Sequence, residues 1–194
     1  MPAEAHPGPV SALLDANVLY PFLARDALLS LADAGLYRPL WTDRINDEWS
    51  SRLIERLPEK APQIKDTIKV MNEAFPDALV SQYEDLVDDL RLPDANDRHV
   101  LAAAIRGGAN IIVTENTKDF PPAVLERHDL EARTADEFVL SIADLYPTDT
   151  VTALRRMRLR YANPPYEAEQ LLQAMLRCGL AATVALLAPQ VASL

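Results

Sequence analysis

Four short stretches read as strands, VSALL at 10–14, YRPLW at 37–41, NIIVT at 110–114 and LEART at 130–134, and longer stretches of helical periodicity separate them. This alternation predicts an α/β fold with a mainly parallel sheet flanked by helices, since parallel neighbours need long crossover connections and a helix is the usual one. With 194 residues, 49% of them hydrophobic, the chain is long enough for one domain with a sizeable core plus a helical appendage. It is too apolar for disorder.

The helical stretches carry their own signals. Residues 22–34 place Leu23, Leu28, Leu31 and Ala32 at helical spacing before Gly35 stops them. Residues 42–57 set Ile45, Trp49, Leu53 and Leu57 four apart, an amphipathic helix that Pro58 closes. A further helix is expected over 60–75, followed by the short apolar ALV and an acidic loop. From Asp94 a helix with the apolar face Val100, Leu101, Ala104 and Ile105 runs to Gly107 and Gly108. ADEFVLSIADLY is the last helix before Pro147, and residues 148–194 read as entirely helical, broken at Asn163-Pro164-Pro165 and near Gly179.

Charge narrows the functions available. Lys and Arg number 19 against 29 Asp and Glu, so the formal charge is −10 and the overall field repels nucleic acid. A polyanionic partner therefore needs a local basic patch or a metal. The arginines of RRMRLR, Arg155, Arg156, Arg158 and Arg160, are one such patch, although arginines on a helix usually form a solvated face. Cys178 is the single cysteine, which excludes an internal disulfide and a multi-cysteine zinc cluster. MPAEAHPGPV lacks a basic stretch followed by an apolar core, so no signal peptide is expected. GLAATVALLA is too short to span a bilayer, and a cytoplasmic location follows as the default.

Carboxylates recur where this fold gathers function, at the carboxyl edge of its strands. Asp15 follows the first strand directly, and Asp119 lies in the TENTKDF loop after NIIVT. Asp94 and Asp97, three apart, share one face at a helix start, and Asp97 lies three, four and seven residues before Val100, Leu101 and Ala104. Asp94 alone reads as a helix cap, whereas helical phase aims Asp97 at the other acids. Packed carboxylates repel, which a divalent cation or a raised pKa resolves. Oxygen ligands suit Mg²⁺ or Mn²⁺, and His6, His99 and His128 have no spacing that suggests another metal. His99 reads as an exposed or packing histidine. Trp41 and Trp49 read as core or partner-groove residues, and Cys178 as a small apolar one.

The motifs LLDANVLY, INDEW, PDANDRHVLAAAI and IIVTENTKDFP, in this order over residues 11–146, resemble the PIN-domain ribonucleases, of the kind that act as VapC-type toxins in toxin–antitoxin pairs. The resemblance implies a three-layer α/β/α domain over 1–147, with 148–194 as a helical C-terminal extension. It implies that Asp15, Glu48, Asp97 and Asp119 form the catalytic acidic site. Asp15, Asp97 and Asp119 would hold Mg²⁺ or Mn²⁺, with Asp94 as an additional ligand, and Asn17, Thr114 and Asn116 would support them. In INDEW both Asp47 and Glu48 flank the apolar stripe, and the family pattern favours Glu48. Asn116 stands where many relatives carry an aspartate, which bears on whether a second metal binds.

The implied activity is metal-dependent cleavage of single-stranded RNA by an activated water, leaving a 5′-phosphate. The implied partners are RNA and an antitoxin protein, with room for a homodimer; no membrane or DNA partner is expected. An antitoxin would lay a helix or extended segment across the acidic cleft and offer it a basic side chain. Two other readings share the fold: an RNA-processing nuclease without an antitoxin, and a non-catalytic scaffold, against which four acids in register argue. A receiver-like domain would want a tighter acidic cluster at the first strand and a strand-end lysine, and neither is present.

Overall fold

The computed structural model describes residues 10–194; His6 and the reading of MPAEAHPGPV as lacking a signal peptide lie outside them, apart from Val10. Four strands form one sheet: β1 (Ser11–Leu14), β2 (Arg38–Leu40), β3 (Ile111–Val113) and β4 (Glu131–Arg133), in the order β2-β1-β3-β4 and all parallel. Leu13 stands opposite Leu40 on one side and Ile112 on the other. Strand order reverses between β1 and β3, so a crevice opens at the carboxyl ends of that pair. Leu13, Leu14, Ile112 and Val113 are fully buried, as expected for strands covered on both faces.

Helices α1 (Ala16–Leu19) and α2 (Phe22–Asp33) follow β1, and α3 (Asp43–Arg56) and α4 (Ala61–Ala74) follow β2. Thr42 starts α3 by accepting the Ile45 N–H on its hydroxyl at 3.1 Å. The stripe read on that helix is its buried face: Ile45 and Trp49 are both 0% exposed. Trp41 is equally buried, so both tryptophans are core residues, with their indole N–H groups donating to Asn72 and Asn46. The acidic loop holds a short helix, α5 (Glu84–Val87), that periodicity did not announce.

The helix expected from Asp94 divides in two. Residues Ala95–Asp97 make a tight 3-10 turn, and α6 (Arg98–Gly107) begins only after it. Asp94 takes the capping role, its carboxylate accepting the Asn96 N–H at 2.8 Å. At the other end Gly108 adopts φ 63°, the left-handed turn that closes helices without a Cβ penalty. A short helix, α7 (Pro122–Leu125), lies between β3 and β4.

After β4 come α8 (Ala135–Leu145), α9 (Pro147–Arg160), α10 (Ala168–Arg177) and α11 (Ala181–Leu187). Pro147 does not only end α8; it opens α9, in the first helical turn where a missing N–H costs nothing. Val151, Leu154 and Met157 of α9 and Leu171 and Met175 of α10 join the same buried cluster as the sheet. The Asp136 carboxylate of α8 accepts the Ala182 and Thr183 N–H groups at the start of α11 at 2.7 and 2.8 Å. Asp26 of α2 accepts from Arg160 at 2.9 Å and from the Tyr161 hydroxyl. Two of the four patch arginines are thereby engaged within the fold, Arg160 on α2 and Arg158 on the carbonyls of Tyr166 and Leu194. No helix among the described residues is long and apolar enough to cross a membrane.

Candidate active site

Asp15 is the fixed point of the crevice. It leaves β1 at the sheet's reversal, and its N–H still pairs with the Val113 carbonyl of β3 at 3.0 Å, so its backbone is part of the sheet. Its carboxylate is 7% exposed and fully engaged. Oδ1 accepts the Ala16 N–H at 2.6 Å, and Oδ2 accepts the Asn17 amide and the Thr114 hydroxyl, each at 2.7 Å. Asn17 also donates to Thr114 at 2.9 Å and accepts the Glu115 N–H at 3.0 Å. Asn17 and Thr114 thus tie the ends of β1 and β3 together around one charge.

That charge is costly where it stands. Burial pushes the Asp15 carboxyl upward, the bonds from Thr114 and Ala16 pull it back, and Glu48 adds repulsion; the net shift is upward. Asp97 behaves similarly at the start of α6. Burial and then the charges of Asp15, Asp94 and Asp119 raise its carboxyl from 3.8 to about 6. Asp97 is therefore within electrostatic reach of Asp15, Asp94 and Asp119 together. Asp119 lies half-buried on a 3-10 turn (Thr117–Asp119) beyond β3, and Asp94 is exposed.

Glu48 joins from α3. Its Oε1 lies 3.1 Å from Arg44 Nε and 3.2 Å from His99 Nε2. Burial opposes its charge, but the bonds from His99 and Arg44 outweigh it, and its carboxyl titrates below the usual range. Asp47, the other acid of INDEW, is exposed on the neighbouring flank. Asn116 is exposed as well, and its N–H donates to Thr114 at 3.1 Å.

His99 is the residue that sequence reasoning undervalued. It is 3% exposed, packed between α6 and α3, and in contact with Glu48. The signal available was its position two residues after Asp97, on a helix whose start faces the crevice. His128 is exposed.

The arrangement holds carboxylate oxygens of unequal proton affinity around the mouth of a parallel-sheet crevice. Among the described residues, no three His, Cys, Asp or Glu side chains are drawn together closely enough to hold a metal ion. The donors are oxygens, the type that hard divalent cations prefer.

Comparison with known proteins bears on both halves of the chain. A family profile described as "PIN domain" matches residues 11–118, and one described as "VapC50 C-terminal domain" matches residues 135–189. A protein of Mycobacterium tuberculosis (strain ATCC 25618 / H37Rv) named "Putative ribonuclease VapC50" is 42% identical over 79 residues, 41% of this chain and 47% of that protein. The chain thus aligns with about half the length of that curated relative. No solved structure matches it. The first profile covers more than half of the chain, from β1 through β3 and the crevice between them, and the chain belongs to the PIN-domain family.

Proposed function

We propose that this chain is a divalent-metal-dependent endoribonuclease that cuts single-stranded RNA, the toxin of a toxin–antitoxin pair. The observation that carries the reading is the acidic crevice at the reversal of the sheet, where Asp15 is buried and clasped by Asn17 and Thr114. Asp97 stands near enough to Asp15, Asp94 and Asp119 for their charges, added to burial, to raise its carboxyl to about 6. Such repulsion is the kind that a bound cation relieves, and that a solvated surface would have no reason to accumulate. The family match and the name of the mycobacterial relative support the same activity.

The residues fit Mg²⁺ or Mn²⁺ by donor type and charge, and their gathering onto the ion would be part of binding it. Asp15, Asp97 and Asp119 would hold it, with Asp94 as a further oxygen. A bound ion of this kind neutralises phosphate oxygens and lowers the pKa of a bound water, supplying a nucleophile near neutral pH. The protein's own contribution is orientation. Asn17 and Thr114 hold Asp15 in one rotamer, and Glu48 would offer a carboxylate to a water held by the ion, to orient or deprotonate it, so that its placement would bear on metal affinity as well as on turnover. Attack on phosphorus with departure of the 3′-oxygen would leave a 5′-phosphate on the product. A bound cation would also offset locally the overall charge of −10, which opposes approach of the RNA.

A partner antitoxin would quiet the site by presenting an arginine or lysine to the same carboxylates, in place of the metal. Such a pair would act on cytoplasmic RNA. The test is cleavage of a labelled single-stranded RNA by the purified chain with Mg²⁺, Mn²⁺ or EDTA, beside folded Asp15→Asn and Asp97→Asn variants. Metal-dependent cleavage lost in both variants supports the reading. A wild type that binds no metal and cuts none of several RNAs, with no inhibitor bound, sinks it in favour of a scaffold. The solution mass of the same preparation shows whether the chain is a homodimer.

A further inference from the structure

His99 has no task in the reading above, yet its surroundings are unusual. The ring is 3% exposed, and its Nε2 lies 3.2 Å from Glu48 Oε1, within hydrogen-bonding distance. Its Nδ1 is buried with no hydrogen-bond partner. Burying a polar atom without a partner costs stability, and a leucine would fill similar space without that cost. Packing alone therefore does not account for an imidazole here.

Glu48 has two anchors, and they differ in kind. Arg44 lies one turn back on the same helix with its side chain 50% exposed, so it restrains the carboxylate only loosely and relative to α3. His99 comes from a different helix and is locked by packing. It relates Glu48 to α6, the helix that begins directly after Asp97. A glutamate ends three rotatable bonds and loses considerable freedom when its carboxylate must stay in one place. Both anchors engage Oε1, so neither occupies Oε2.

We infer that His99 is a positioning residue: by donating from Nε2 to Glu48 Oε1 it couples α3 to α6 and presents the Glu48 carboxylate, through Oε2, to the same cleft as Asp15 and Asp97. This rests on the nuclease reading. Outer partners that orient ligands and bases contribute by preorganisation, and their loss is felt in metal affinity and turnover more than in substrate binding.

The test uses the full chain and Mn²⁺ alone as the probe, with affinity followed by loss of the free-ion electron paramagnetic resonance signal. In parallel, kcat and KM are measured on a single-stranded RNA oligomer. His99→Leu is expected to weaken Mn²⁺ binding and lower kcat by ~10- to 100-fold with KM little changed. His99→Gln, whose amide can donate from about the position of Nε2, restores most of both; the shorter His99→Asn does not. In a Glu48→Gln background, His99→Leu should weaken Mn²⁺ binding by less than ~3-fold, because the ring acts through that carboxylate.

Wild-type Mn²⁺ affinity and kcat in a folded His99→Leu overturn the inference, as does a full loss that persists beside Glu48→Gln. Should His99→Leu fail to fold by circular dichroism, Gln and Asn decide alone, and equal losses in the two overturn it. Activity lost in Asp15→Asn but untouched in the His99 variants sinks this inference and leaves the nuclease reading standing. A wild type that neither binds Mn²⁺ nor cuts RNA removes both.

Discussion

Neutralising Asp97 tests the acidic cluster without any RNA. Its carboxyl rises from 3.8 to about 6, through burial first and then through Asp15, Asp94 and Asp119. Because the folded value lies above the unfolded one, the folded chain holds the proton more tightly. The stability this group contributes is complete below about pH 4 and is lost as pH rises through about 6. At neutral pH the wild type carries the whole penalty of the charge. A shift of roughly two pH units corresponds to at most about 3 kcal/mol. Asp97 is only half-buried, and the start of α6 favours a negative charge, so ~1 kcal/mol is what remains.

In EDTA at about pH 7.5, Asp97→Asn should therefore melt ~2–4 °C above the wild type by scanning calorimetry, a gain that shrinks toward zero near pH 4. A variant that melts at or below the wild type at neutral pH refutes the argument. So does a gain of equal size at both pH values, because it would owe nothing to the charge.

Three further outcomes follow from other parts of the fold. Mg²⁺ or Mn²⁺ at a hundred times its dissociation constant should stabilise the wild type by about 2.7 kcal/mol, and chelation should reverse this; Asp15→Asn should respond far less, read as the metal-induced rise in Tm. Gly107→Ala would bring a Cβ to 2.8 Å from Val80 Cγ2 and 3.0 Å from Leu40 Cδ1, so those side chains, packed in the core, must give way. Overpacking of ~1–3 kcal/mol exceeds the gain of up to ~1 kcal/mol in helix propensity, and the urea midpoint should fall. Asp136→Ala removes the acceptor for two N–H groups at the start of α11, costing ~1–2 kcal/mol, with hydrogen exchange at Ala182 and Thr183 rising before the sheet is affected.

Which residues could be read in advance follows from the range of the forces that place them. Ile45 and Trp49 were legible as a buried face because helical period depends on near neighbours alone, and the same holds for the strands and for Gly108 as a helix end. The split of the Asp94 helix into a tight turn and α6 was not legible. Asp94 competes for local backbone N–H groups, and the chain takes the tighter turn before the helix proper. The different surroundings of Asp47 and Glu48 were equally closed to a helical wheel, since both flank one stripe. They follow from where α6 sits against α3, two helices remote in sequence: His99 lies against Glu48, while Asp47 is exposed. Arg158 and Arg160 read as half of a basic patch, yet partners on other segments engage both, the carbonyls of Tyr166 and Leu194 for Arg158 and Asp26 for Arg160.

The sequence by itself determined the parallel sheet, its helical cover, and carboxylates at strand ends and a helix start, because periodicity and spacing are local properties of a chain. Only the tertiary structure decided that Thr114 and Asn17 clasp Asp15. It alone decided that Asp97 feels three other acids, and that a buried His99 reaches Glu48. Those facts depend on burial and on distances between segments that only packing brings together, and burial is what turns an ordinary carboxylate into a costly and usable one.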